Sequence, residues 1–121
     1  MNQVNWFEIP VTDLERAVKF YSEVFKVELS HMEMPGMKMA MFPGVQDKPF
    51  ATGSLVQGEN LVPSTNGTTV YFFCDDLSIE LKRIEDLGGK VLNPKTSIGE
   101  MGFIAHFIDS EGNKVALHSL K

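Results

Sequence analysis

Strand-like alternation gives way to helical spacing near the start of the chain, and the same change happens again halfway along. Residues 4–11 alternate, with Phe7, Ile9 and Val11 on one face and Trp6, Glu8 and Pro10 on the other, which predicts a strand. Pro10 has no N–H to donate, so it predicts the strand's end or a sheet edge. Thr12-Asp13-Leu14-Glu15 then has the form of a capping box, in which the Thr12 hydroxyl and the Glu15 carboxylate satisfy each other's backbone N–H groups. Beyond it, Leu14, Ala17, Val18, Tyr21, Val24 and Phe25 recur at three- and four-residue intervals and predict an amphipathic helix of about three turns.

Residues 27–34 and 37–42 alternate on either side of Pro35-Gly36, the pattern of a hairpin. A polar loop runs to Pro49, and residues 51–56 read as a weaker strand because Gly53 interrupts it. Residues 59–67 have linker composition. The program then restarts with a strand at 68–74 and a helix opened by Asp75-Asp76, with Leu77, Leu81, Ile84 and Leu87 on one face and Gly88-Gly89 as its stop. Strands at 90–93, 102–108 and 114–118 follow, the last two joined by a turn at 109–113. Asp13-Leu14 recurs as Asp76-Leu77, 63 residues on. The expected fold class is α+β: one domain over residues 1–121, built of a βαβββ module at 1–58, a linker at 59–67 and a second βαβββ module at 68–121.

Composition narrows the functions available. Hydrophobic residues make up 43% of the 121 and charged residues 22%, which is ordinary globular usage. Sixteen acidic residues against 11 basic ones leave a net charge of −5, with the basic side chains scattered, so neither nucleic acid nor an anionic membrane is an expected partner. The single cysteine, Cys74, lies in an apolar run beside Asp75 and Asp76, a setting for an inert core thiol. No signal-like segment opens the chain and no apolar run approaches membrane-spanning length, so a cytoplasmic location is expected.

The runs from Phe7 to Tyr21 and from Phe107 to Ser119, with Gly88-Gly89-Lys90-Val91 and Pro94-Lys95-Thr96 between them, resemble the vicinal oxygen chelate superfamily of glyoxalase, bleomycin-resistance and dioxygenase proteins. The resemblance implies two βαβββ modules whose sheets curl around a concave cavity, and a homodimer; whether modules exchange between chains is left open by the residues. It also implies where a catalytic metal would sit. The first-strand positions, seven residues before Asp13 and Asp76, hold Trp6 and Thr69. The last-strand position in the second module holds Ala116, and its first-module counterpart falls at Ser54 or Leu55. None supplies the imidazole or carboxylate that a divalent ion requires.

The expectation is therefore a metal-free protein, with no cofactor, that binds a small, partly apolar molecule for sequestration or sensing. Its expected ligand-binding residues are Trp6, Glu8, Tyr71, His118 and the face of Met37, Met39 and Met41, whose flexible thioethers suit an adaptable pocket. Glu8 is the candidate general base, weakened in that role by the lack of a cation to stabilise an anionic intermediate. The alternative is a glyoxalase-like lyase, isomerase or dioxygenase using Zn, Ni or Fe in a relocated site of Glu8, His106 and His118.

Overall fold

The computed structural model describes residues 3–44 and 51–121. The chain runs β1 (Trp6–Pro10), α1 (Leu14–Phe25), β2 (Ser30–Met34), β3 (Met37–Met41), β4 (Thr52–Gly58), β5 (Tyr71–Phe73), α2 (Leu77–Asp86), β6 (Lys90–Ser97), β7 (Phe103–Ile108) and β8 (Lys114–Ser119). These form two four-stranded mixed sheets with matching orders, β1-β4-β3-β2 and β5-β8-β7-β6. In each, the first strand runs parallel to the last, which its helical crossover permits, and the other pairs are antiparallel. The polar loop expected before Pro49 lies mostly outside the described residues.

The sheet registers decide which side chains face the core. Ile9, Leu55 and Ala40 are cross-strand neighbours and pack under α1 with Leu14, Ala17, Phe20, Tyr21 and Val24. Phe20, outside the expected stripe, is buried and packs on Phe107 at 6.1 Å between ring centroids. Trp6, Glu8, Ser54, Met39 and Met41 share the opposite face of the first sheet. In the second sheet Phe72, Leu117 and Ala105 face the core, and Tyr71, Ala116 and His106 the other way.

The expected capping box is not how α1 begins. Asp13 is the N-cap, its carboxylate accepting from Arg16 N–H at 3.2 Å. The Thr12 and Asp13 N–H groups donate instead to Glu111 Oε1, at 2.9 and 2.8 Å. A carboxylate in the β7–β8 turn thus takes the place of the expected local partner, and it also receives Arg16 Nε at 2.7 Å. The same turn is anchored below, where the buried Tyr21 hydroxyl donates to Asp109 Oδ2 at 2.6 Å and Asn113 Nδ2 donates to the Pro10 carbonyl at 2.8 Å.

Three element boundaries also differ from expectation. β5 is only three residues long, β6 runs four residues further than expected with two register breaks, and a 3₁₀ turn at Gly99–Met101 precedes β7. β4, expected to be weak, is a central strand, and Gly53 is what lets Phe7 cross it: a Cβ there would fall 2.6 Å from the Phe7 ring. Among the described residues no helix is long and apolar enough to cross a membrane.

Candidate functional site

β1 and β5 are edge strands of their sheets, and between them opens a cleft of about 930 Å³. Its floor is aromatic because the core face of each edge strand carries a phenylalanine. Phe72 stacks on Phe25 at 4.5 Å and meets Phe42 at 5.5 Å and Phe7 at 5.8 Å, and all four rings line the cleft. Trp6, Glu8 and Tyr71, from the opposite faces of the same strands, line it too, with Trp6 40% and Tyr71 50% exposed. Large aromatic surfaces left half in water are what a flat apolar ligand would cover.

Three of the expected binding residues therefore meet at one opening. The rest do not line it. Met37, Met39 and Met41 share the Trp6 face by register, but Met39 is buried and Met37 borders a smaller groove of about 340 Å³ beside Gln57 and Gly58. His118 is half-buried, its Nε2 held 2.6 Å from the Met101 carbonyl oxygen and its ring edge-on to Phe73 at 5.5 Å. His106 lies 3.3 Å from the Tyr71 hydroxyl through Nε2 and 3.3 Å from the Asn93 amide through Nδ1. Burial, and then the positive charge of Lys114, hold the His106 pKa below its ordinary value.

Glu8, His106 and His118 are not drawn together: among the described residues, no three His, Cys, Asp or Glu side chains are placed to hold a metal ion. Register also decides between the two first-module positions that the resemblance offers as a metal-ligand counterpart of Ala116. Tyr71 pairs with Ala116 as Glu8 pairs with Ser54, so Ser54, not Leu55, is the counterpart of Ala116. An indole, two hydroxyls and a methyl group at Trp6, Ser54, Thr69 and Ala116 do not fit a divalent cation.

Cys74 lines the cleft as well but is buried, and its thiol is pushed up to about 12 by burial, then by the charge and hydrogen bond of Glu80 and the charge of Asp75. It stays a thiol at neutral pH and is no nucleophile. Sequence reasoning missed the aromatic floor, whose one signal was Phe25 closing the α1 stripe, and the link from Tyr71 through His106 to Asn93, which needs a cross-strand register.

Known proteins share this fold. A family model described as "Bleomycin resistance protein-like N-terminal" matches residues 3–44. A glyoxylase-like domain-containing protein of Didymella fabae is 33% identical over 119 residues, covering 95% of this chain and 91% of that protein. A glyoxylase/bleomycin resistance protein/dioxygenase domain from Frankia sp. EAN1pec superposes with a TM-score of 0.76 at 15% identity, over 98% of both chains. TnmS3, an antibiotic binding protein from Streptomyces sp. CB03234, does so with a TM-score of 0.68 at 24% identity, over 98% of this chain and 96% of that one. The chain spans under half the length of some other matches, 44% of a putative glyoxylase of Mycobacterium bovis and 45% of glyoxalase I of Zea mays.

Proposed function

This chain belongs to the vicinal oxygen chelate superfamily of glyoxalase, bleomycin-resistance and dioxygenase proteins, and from that premise we propose that it is a metal-free binding member that holds a small, partly apolar molecule for sequestration or sensing. The observation that carries the reading is the aromatic cleft between β1 and β5, in a chain whose inherited ligand positions hold Trp6, Ser54, Thr69 and Ala116. A ligand laid across Trp6 and Tyr71 removes apolar surface from water at about 2.5 kcal/mol per 100 Å². That is enough for micromolar binding by an aromatic of two or three rings once ordering costs are met. The antibiotic-binding neighbour of the same fold is in keeping with this use.

The working unit in this reading is one domain over residues 1–121, its modules at 1–58 and 68–121, located in the cytoplasm and paired as a homodimer. Among the described residues β1 pairs only with β4 and β5 only with β8, and Trp6, Tyr71 and Phe73 are exposed along them. Such edges favour strand addition, and a second copy offers the matching ones.

Two measurements test the binding reading together. Metal analysis of protein purified without chelators is expected to find no stoichiometric ion, and 1-naphthol is expected to raise the melting temperature and quench the fluorescence of Trp6, the sole tryptophan. Trp6→Ala should weaken 1-naphthol binding about tenfold, near 1.4 kcal/mol. Stoichiometric Zn, Ni or Fe that the protein retains would instead favour the glyoxalase-like lyase, isomerase or dioxygenase.

A further inference from the structure

Five of the seven methionines fall within one stretch of the chain, at 32, 34, 37, 39 and 41 of the β2–β3 hairpin. Strand formation does not call for them, since β-branched and aromatic side chains suit a pleated surface better. Pro35 and Gly36, the latter at a φ of 75°, reverse the chain and set Met34 opposite Met37; Met32 then stands opposite Met39. By strand alternation these four share one face, while His31, Glu33 and Lys38 take the other. Opposite pairs in such a ladder have Cβ atoms about 5 Å apart and diagonal ones about 7–8 Å, so long thioether side chains can bring their sulfurs to one point. Room for this lies beside Met37, whose neighbour on β4 is Gly58 and which borders the groove of about 340 Å³. Met32 and Met34 are 46% and 49% exposed, whereas Met39 is buried.

We propose that this face of the hairpin is a site for a soft monovalent cation, copper(I), held by the sulfurs of Met32, Met34 and Met37 with Met39 as a further donor. The site is separate from the aromatic cleft and does not depend on what the cleft binds. Thioether sulfur is a soft, uncharged donor that suits Cu(I), whereas Zn, Ni and Fe favour sites with imidazole or carboxylate. The hairpin offers neither of those on its methionine face. Glu33 and Lys38 border the groove as well, but register turns them to the other side, and His31 is drawn toward α1, its Nε2 3.6 Å from Glu15. Glu8, on the same face of the sheet, belongs to β1 at the opposite edge. β2 is itself an edge strand, exposed along its whole length, so an ion reaches the methionines directly from solvent. Copper met in air is Cu(II), a harder ion that thioethers alone do not retain, so the site fills only where Cu(I) is supplied.

The experiment supplies the metal alone. The protein is titrated anaerobically with Cu(I) against bicinchoninate, a chromophoric Cu(I) chelator, and in parallel with Zn(II). Ag(I) serves as a redox-inert mimic while the methionine ε-methyl signals are followed by NMR. Stoichiometric Cu(I) is expected to bind and Zn(II) is not, and Ag(I) should shift the methyls of Met32, Met34, Met37 and Met39 while that of Met101 stays in place. Leucine is close to methionine in volume, so Met32→Leu combined with Met34→Leu, both at exposed positions, should keep the wild-type melting temperature and 1-naphthol affinity. Loss of the two thioethers should weaken Cu(I) binding about a hundredfold, about tenfold for each. The site is overturned if no stoichiometric Cu(I) binds or if Zn(II) is taken up equally. It is overturned too if the double variant keeps the wild-type Cu(I) affinity, since the ion then sits elsewhere, the buried Cys74 thiol included. None of these outcomes bears on the binding reading, which 1-naphthol tests by itself.

Discussion

Glu111 illustrates how much one side chain can hold. Its carboxylate accepts the Thr12 and Asp13 N–H groups that open α1, takes Arg16 through Nε at 2.7 Å and through the terminal nitrogen at 3.0 Å, and receives the Ser110 hydroxyl. Burial by itself would raise its pKa; Arg16, the two backbone N–H groups and Ser110 outweigh that and leave it below the ordinary glutamate value. A carboxyl with a lowered folded-state pKa adds stability above its unfolded-state value of about 4.3 and loses it as pH falls through the lowered one. Glu111→Gln should therefore cost about 1–3 kcal/mol at pH 7. Urea titrations should show the gap between the two proteins closing below about pH 4. A gap that does not change with pH would mean that the charge of Glu111 does no work at the α1 terminus.

At the scale of elements, the short edge strands are shaped for an opening. β1 carries a core face of Phe7 and Ile9 and an outer face of Trp6 and Glu8, and β5 repeats this with Phe72 against Tyr71 and Phe73. β1 can lie close on β4 only because Gly53 has no side chain where Phe7 passes. Gly53→Ala would force the Phe7 ring, and the aromatic floor with it, to move. We expect a loss of about 1–3 kcal/mol in chemical denaturation, accompanied by weaker 1-naphthol binding. Unchanged stability together with unchanged binding would show that the β1–β4 contact is not what shapes the cleft. In the sequence Gly53 marks β4 as a weak strand, and in the fold it is the reason that β4 can be central.

For the molecule as a whole, the testable property is self-association. Light scattering is expected to give twice the 13.5 kDa chain mass, and Trp6→Lys, which sets a charge on the β1 edge, should shift the mass toward a single chain. A wild-type protein that stays at 13.5 kDa at high micromolar concentration would rule out the homodimer. The two modules of one chain are tied through the β7–β8 turn, where Asp109, Glu111 and Asn113 reach Tyr21, α1 and Pro10, so the proposed homodimer would draw on the β1 and β5 edges rather than on that contact.

Hydrophobic period alone determined the order of elements, their doubling and the two helix faces, because alternation and three-to-four spacing are local consequences of backbone geometry. The motif runs added the family, and with it the expectation that Trp6, Thr69 and Ala116 occupy the positions where related enzymes hold a metal. Only the tertiary structure decided which outer-face residues share an opening: Trp6, Glu8 and Tyr71 do, whereas the Met37, Met39 and Met41 face and His118 lie elsewhere. It also brought Phe25, Phe42 and Phe72 together, set His106 beside Tyr71 and exchanged Thr12 for Glu111 at the start of α1. These pairings join residues from 30 to 99 positions apart. They depend on sheet register and on how two helix-backed sheets meet, and no local pattern encodes either.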